Sequence, residues 1–151
     1  QRIMKQSIII LLMTIVTIGC FGQKFDKRLA KKLGADEYGM KSYVLVILKT
    51  GETTISDKQQ RDSIFAGHMK NIGRMADAGL LVSAGPIAKN ERQYRGIYIF
   101  NVKTIAEAET LVSTDPAVIS GLLAAEYFSW YASAALTLHN KYHKKIQKKS
   151  F

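Results

Sequence analysis

His68 is the residue whose type and position offer the clearest chemistry in this sequence. Apolar residues recur around it at three- and four-residue steps, namely Ile64, Phe65, Met69, Ile72, Met75 and Ala76. This period predicts an amphipathic helix. His68 follows Ile64 by four residues and precedes Ile72 by four, so its imidazole is expected on the core-facing side. An imidazole there is either a packed histidine that bonds a backbone carbonyl or a general acid or base, because it titrates near neutral pH.

The segments around this helix predict the elements that hold it. Gly79 is typical of the residue just after a helix end, and residues 80–84 predict a short strand that Gly85 and Pro86 would end. The other predicted strands span residues 42–49, 95–102 and 122–131, and a second helix spans residues 104–114. Asp115 and Pro116 open one further helical turn. This order predicts an α+β fold of the ferredoxin-like βαββαβ type, with one antiparallel sheet and two helices on one face.

One face of such a sheet has no helix to cover it. We predict that Tyr98, Phe100, Phe128 and Trp130 lie on this open face, together with the strand of Tyr43. These side chains are too apolar for full exposure. A second copy would cover the same face of the first, which predicts a homodimer in the form of a dimeric α+β barrel.

The ends of the chain differ from its middle. Lys5 is followed by an apolar run at residues 8–18, so residues 1–22 resemble a secretory signal peptide. Cys20 is alternatively the lipid-bearing residue of a lipoprotein, and an uncleaved anchor is a third possibility. A basic segment (23–41), the α+β domain (42–132) and a basic tail (133–151) follow. This organisation predicts a secreted or periplasmic protein that contacts membrane only through the signal or a lipid.

Composition excludes several other functions. The formal charge is +10, concentrated at residues 24–32 and 141–149. Such runs are usually solvated, although anionic lipid or a cell-wall polymer would also fit them. Nucleic acid is not expected, because a secreted protein rarely meets it and no aromatic residues interleave with the basic ones over a likely groove. Cys20 is the only cysteine and no Cys/His cluster exists, so no disulfide, metal or cofactor is predicted. His139 and His143 have ligand spacing but supply only two ligands.

Several motifs together resemble a known family between about residues 41 and 130. They are YVLVILKTG, GHMKNIGRMADAG, LLVSAGP, RGIYIF, TDPAVISG and a last aromatic strand that ends at Trp130. In this order they resemble the YCII-related domain family, and ADEYGMKSY and WYASAAL resemble a secreted branch of it. The resemblance implies a dimeric α+β barrel and a candidate active site built on a His-Asp pair. On this sequence that pair is His68 and Asp115.

Each candidate site residue also has an ordinary structural explanation. Asp115 before Pro116 is a common helix cap, and capping alone would explain it; the alternative is that its carboxylate orients His68. Gly85 and Pro86 end a strand or line a pocket mouth. Arg95, like Arg92, borders the expected pocket and would hold an anionic substrate or remain solvated.

Two functions therefore remain open. The first is a cofactor-free proton-transfer enzyme of the isomerase or lyase type, with the His68–Asp115 pair acting on a small carbonyl or phenolic molecule. The alternative is a non-catalytic small-ligand-binding or structural dimeric module. A pH–rate profile that inflects near the histidine pKa would favour the enzyme, whereas binding without turnover would favour the module.

Overall fold

The computed structural model describes residues 25–149. The predicted signal peptide and Cys20 lie outside this range. The described elements, in chain order, are α1 (Lys27–Leu33), β1 (Met40–Thr50), α2 (Lys58–Asp77), β2 (Leu81–Pro86), β3 (Tyr94–Phe100), α3 (Ile105–Val112), α4 (Pro116–Ile119), β4 (Leu123–Ser133), a 3₁₀ helix (Ala134–Leu138) and α5 (His139–Ile146). None of these helices is long and apolar enough to cross a bilayer.

The four strands form one antiparallel sheet in the order β2-β3-β1-β4. This arrangement confirms the predicted α+β, ferredoxin-like fold. β1 occupies a central position because it is apolar on both faces, as expected for a strand covered by neighbours. Its residues Val44, Val46 and Leu48 are buried on the face that the helices cover.

Tyr98 and Phe100 also lie on the helix-covered face, where both are fully buried in the main core. The prediction that they belong to the open face is therefore wrong. The reason is that both alternating sets of β3 are large and apolar. Ile97 and Ile99 on one side resemble Tyr98 and Phe100 on the other, so alternation alone does not show which set faces the helices.

The open face of the sheet carries the remaining apolar side chains. Leu45 pairs with Phe128 and Ile47 pairs with Ile97, and both Phe128 and Trp130 are exposed. Tyr43 lies on this face too, but it is buried in a second cluster that the 3₁₀ helix covers through Leu136. The open face is thus apolar, as predicted, but Leu45, Ile47 and Ile97 lie there instead of Tyr98 and Phe100.

The boundaries of α2 and β2 follow local chemistry. The Asp57 carboxylate accepts from the backbone N–H of Gln60 at the start of α2, and Gly79 adopts φ 71° just after its end. β2 ends at Pro86, so it stops at the predicted Gly85-Pro86 pair, but both residues belong to the strand and Pro86 pairs with Gly96. Proline is tolerated there because β2 is an edge strand.

The C-terminal segment covers part of that edge. The Nδ1–H of His139 donates to the carbonyl of Val82 (3.0 Å), and Asn140 Nδ2 donates to the carbonyl of Leu81 (2.6 Å). These contacts satisfy carbonyls that an edge strand would otherwise leave open. The basic tail is therefore helical over Ala134–Leu138 and His139–Ile146 and is attached to the sheet.

Candidate active site

Asp115 is the centre of the best-formed polar cluster among the described residues. Its side chain is fully buried and accepts from three donors. The backbone N–H of Ala117 donates to Oδ1 at 2.9 Å, the hydroxyl of Tyr98 donates to Oδ2 at 2.7 Å, and Nδ1 of His68 lies 2.8 Å from Oδ2. Asp115 is thus both the cap of α4, with Pro116 at its first position, and a partner of His68.

His68 projects from the middle of α2 toward this carboxylate. Its side chain is 12% exposed, and none of the described residues forms a hydrogen bond with its Nε2. The side chain is thus only partly buried, and the ring has one nitrogen held by Asp115 and one nitrogen for which the described residues supply no partner.

The protonation state of the pair follows from the surroundings of Asp115. Burial by itself raises the pKa of this carboxyl, but the hydrogen bonds from His68, Tyr98 and Ala117 and the nearby His68 charge outweigh burial and lower the pKa. Asp115 is consequently ionised at neutral pH and can only accept. Nδ1 of His68 must carry a proton, which leaves the lone pair of a neutral imidazole on Nε2.

Tyr98 is the site residue that the sequence did not reveal. The sequence predicts Tyr98 on the open face of the sheet. In the structure its ring lies on the other face beside the His68 ring, with centroids 6.1 Å apart. Burial, the Asp115 charge and their hydrogen bond all raise the pKa of Tyr98, so the hydroxyl stays protonated and remains a donor. The only indirect sign in the sequence is the tyrosine itself within an apolar strand, because a tyrosine hydroxyl needs a hydrogen-bond partner once it is buried.

Gly67 is a second such residue. It precedes His68, and a Cβ at this position would lie 3.0 Å from Cγ of Pro116. The missing side chain therefore allows α2 to approach α4 closely, which brings His68 within hydrogen-bonding distance of Asp115. Helix periodicity gives no sign of this, since a glycine on a helix face is read only as a weak helix former.

The loop before Asp115 is also fixed to α2. Nη2 of Arg74 donates to Oδ1 of Asn71 (2.7 Å) and to Oγ1 of Thr114 (3.0 Å), the residue just before Asp115. Asn71 is buried, and its Nδ2 has no hydrogen-bond partner. This brace holds the backbone that presents the carboxylate.

The profile of the YCII-related domain matches residues 42–130, more than half of the chain. The chain belongs to the YCII-related domain family. Its membership of a secreted branch stays a prediction.

Other comparisons add little to the family assignment. A search of curated proteins finds no match. Among solved structures, 5-chloro-2-hydroxyhydroquinone dehydrochlorinase from Burkholderia phenoliruptrix AC1100, in complex with 2,5-dihydroxybenzoquinone, is 17% identical with a TM-score of 0.44. The alignment covers 58% of the present chain and 92% of that chain. This likeness is too low to extend that enzyme's activity to the present protein.

The other predicted site residues of this YCII-related domain lie apart from the Asp115 cluster. Gly85, Pro86 and Arg95 are exposed at one end of the β2–β3 pair, and none of them bonds to His68, Tyr98 or Asp115. Pro86 pairs with Gly96, two residues before Tyr98 on the same strand. Their role in substrate binding stays a prediction.

The surroundings of His68 are open rather than enclosed. Phe65, predicted to face the core, is exposed instead and meets the His68 ring edge-on, with centroids 5.9 Å apart. Ile64 and Phe65 are adjacent on the helix, and Ile64 is the one that packs on the core. An open depression of about 460 Å³ lies at the start of α2, lined by Asp57, Gln59, Gln60, Ser63 and Ile64, and it does not include His68.

Proposed function

We propose that this YCII-related domain is a cofactor-free proton-transfer enzyme of the isomerase or lyase type, acting on a small carbonyl or phenolic molecule. One observation carries the proposal. His68 has its Nδ1 held by a buried, ionised carboxylate, while its side chain is partly exposed and no described residue bonds its Nε2. This is the arrangement that a general base requires, with one nitrogen oriented and the other available.

The chemistry would begin at Nε2 of His68. Nε2 removes a proton from a carbon next to a carbonyl or from a phenolic hydroxyl, and the Asp115 carboxylate then faces the imidazolium. In an isomerisation, the proton returns to another carbon of the same conjugated system. In an elimination, the C–H electron pair becomes a new double bond while the leaving group departs with its own bonding pair. Tyr98 keeps Asp115 ionised and in place throughout.

Hydrogen–deuterium exchange tests this proposal without knowledge of the complete reaction. A panel of small carbonyl and phenolic compounds is incubated with the protein in D₂O, and NMR follows the loss of signal from each exchangeable C–H. We expect at least one compound to exchange faster with the protein. His68→Gln should slow that exchange by about 10²- to 10⁴-fold, the usual contribution of a general base.

His143→Gln is the matched control, because His143 is an exposed histidine on α5 with no contact to Asp115. The His143→Gln protein should catalyse deuterium exchange at the C–H of the same compound at the wild-type rate. Equal rates for His68→Gln and wild type, with the fold intact, would contradict the proposal.

The alternative, a non-catalytic ligand-binding or structural module, has one observation in its favour. The depression at the start of α2 lies beside the site but excludes His68. A ligand that binds there without any deuterium exchange, with the same affinity for His68→Gln, would support this alternative.

Two further features belong to the proposal. The apolar open face of the sheet would pair with the same face of a second copy to give a homodimer. The leader at residues 1–22 would direct the protein to secretion or the periplasm, with cleavage before Gln23 or lipidation of Cys20. Intact mass of protein recovered from the cell envelope distinguishes the cleaved form from the lipidated form.

A further inference from the structure

The net positive charge of the described residues comes from the two ends of the range, which contain the two terminal helices. Residues 25–33 and 139–149 together hold nine lysine and arginine residues against one acidic residue, Asp26. Residues 34–138 hold ten basic and eleven acidic residues. The α+β domain is therefore close to neutral, and the ends carry its field.

These two helices are far apart in sequence but contact the same element of the fold. Both α1 and α5 contact the 3₁₀ helix, Ala134–Leu138. Neither helix contains a buried residue. Among the lysines of α5, Lys144 is paired with Asp77 (2.6 Å). We call α1, α5 and residues Gln147–Lys149 the basic surface.

Large apolar side chains stand among these charges. Phe25 is 71% exposed and Ile146 is 81% exposed, and Leu29 and Tyr142 are exposed as well. A surface that only needs to stay soluble gains nothing from these groups. The charged groups of a polyanion would attract the lysines but would gain nothing from the aliphatic Leu29 or Ile146.

We propose that the basic surface binds an anionic membrane. Its basic side chains would attract acidic headgroups, and Phe25, Leu29, Tyr142 and Ile146 would enter the interface, as in amphipathic helices that lie in the plane of a bilayer. The binding is additional to any contact made by the leader. Cys20, the predicted lipidation site, precedes Phe25 by five residues, a span of at most about 18 Å, so an anchor there would hold α1 at the bilayer.

Flotation of the full-length protein with lipid vesicles tests the proposal. One set of vesicles is phosphatidylcholine alone, and the other contains 30% phosphatidylglycerol; binding to the neutral set measures the contribution of the apolar leader. We expect tighter binding to the anionic set, and we expect the difference to shrink as salt is raised. Replacing Lys141, Lys145 and Lys148 with Gln should weaken the anionic binding by on the order of 100-fold, from about 1 kcal/mol for each basic residue.

Matched controls separate this surface from general charge and general apolarity. Replacing Lys70, Lys89 and Lys103 with Gln removes the same charge from exposed positions of the neutral domain and should have little effect on the anionic preference. Phe25→Ser and Ile146→Ser should weaken vesicle binding by roughly tenfold each, because apolar burial contributes to interfacial binding. Ile119→Ser, at an exposed isoleucine of α4, should not.

Two results would overturn the proposal. One is equal binding to neutral and anionic vesicles at low salt. The other is retention on heparin that Phe25→Ser and Ile146→Ser leave unchanged, combined with no effect of these substitutions on vesicle binding, which would make the surface a polyanion site.

Discussion

Asp115 combines two tasks that the sequence presented as alternatives. Its Oδ1 caps α4 through the N–H of Ala117, and its Oδ2 accepts from Tyr98 and His68. A carboxylate has enough acceptor sites for all three donors. The capping explanation and the His-orienting explanation are therefore compatible, although Nδ1 of His68 also lies 3.0 Å from the capping oxygen Oδ1.

Removing the hydroxyl of Tyr98 should show how strongly the buried carboxylate depends on its donors. Tyr98→Phe keeps the ring in the core but leaves Asp115 with one donor fewer. We expect the free energy of unfolding to fall by about 1.5–3 kcal/mol, the usual value of a hydrogen bond to a charged group, as measured by urea denaturation at pH 7. Tyr131→Phe removes an exposed hydroxyl that bonds the exposed Asp36, and it should cost clearly less. Equal losses would argue against a special role for Tyr98.

The pH dependence of stability should also report on Asp115. Its pKa is lower in the folded protein than in the unfolded chain, so the unfolded state binds more protons as the solution is acidified. We expect the contribution of Asp115 to the free energy of unfolding to be constant near neutral pH and to fall as pH drops through about 4, the ordinary aspartate value. Asp115→Asn should flatten this acid limb, whereas Asp77→Asn, at an exposed carboxylate, should leave its slope unchanged. An unchanged slope in Asp115→Asn would show that Asp115 does not contribute to it.

The site could be predicted in part because two of its residues have local signals. His68 interrupts an apolar helical stripe, and Asp115 precedes a helix-starting proline. That they form a pair came from the resemblance to the YCII-related family, since 47 residues separate them. Tyr98 had no comparable signal, because β3 is apolar on both faces and its orientation depends on tertiary packing. Gly67 acts through the side chain that it lacks, and a pattern of side chains does not reveal such a role.

At the scale of elements, the site depends on the close approach of α2 and α4. Gly67→Ala should force Pro116 aside, because the new Cβ would lie 3.0 Å from its ring. Gly73→Ala is the matched control on the same helix, where a Cβ meets nothing within 4 Å. We expect Gly73→Ala to raise the free energy of unfolding by about 0.5–1 kcal/mol through helix propensity, and Gly67→Ala to lack this gain.

The same pair of variants should separate stability from the site. Only Gly67→Ala is expected to change the NMR shifts of the His68 ring, because only Gly67 adjoins the α2–α4 contact. Identical stability and identical ring shifts in the two variants would contradict the proposed role of the contact.

The elements themselves were predicted better than their ends. Gly79 lies just past the end of α2 with positive φ, and α3 begins directly after Thr104, near the start predicted for the second helix, since both boundaries depend on local chemistry. β2 continues through Pro86 because pairing with β3 extends beyond the point at which a proline normally ends a strand. Its position at the sheet edge, which permits this, is a property of the topology and not of the local sequence.

At the scale of the whole molecule, the sheet has one face covered by helices and one face left apolar. The 3₁₀ helix covers Tyr43 and its neighbours, but Phe128 and Trp130 remain exposed beside Leu45 and Ile47. The ion pair between Lys49 and Glu126 lies next to them on the same face. An apolar centre beside charged groups is typical of an interface, and a second copy presents an identical surface.

A single charge placed at the centre of this face should prevent pairing. Phe128→Lys puts an ammonium where the proposed dimer would bury an aromatic ring, and an unpaired buried charge is strongly unfavourable. We expect light scattering after size exclusion to give twice the chain mass for the wild type and the chain mass for Phe128→Lys. Ile119→Lys changes an even more exposed side chain on the helix side and should remain dimeric. Because Phe128 is exposed in the single chain, the substitution should not unfold the domain. A monomeric wild type, or a dimeric Phe128→Lys protein, would show that the open face does not pair copies of this chain.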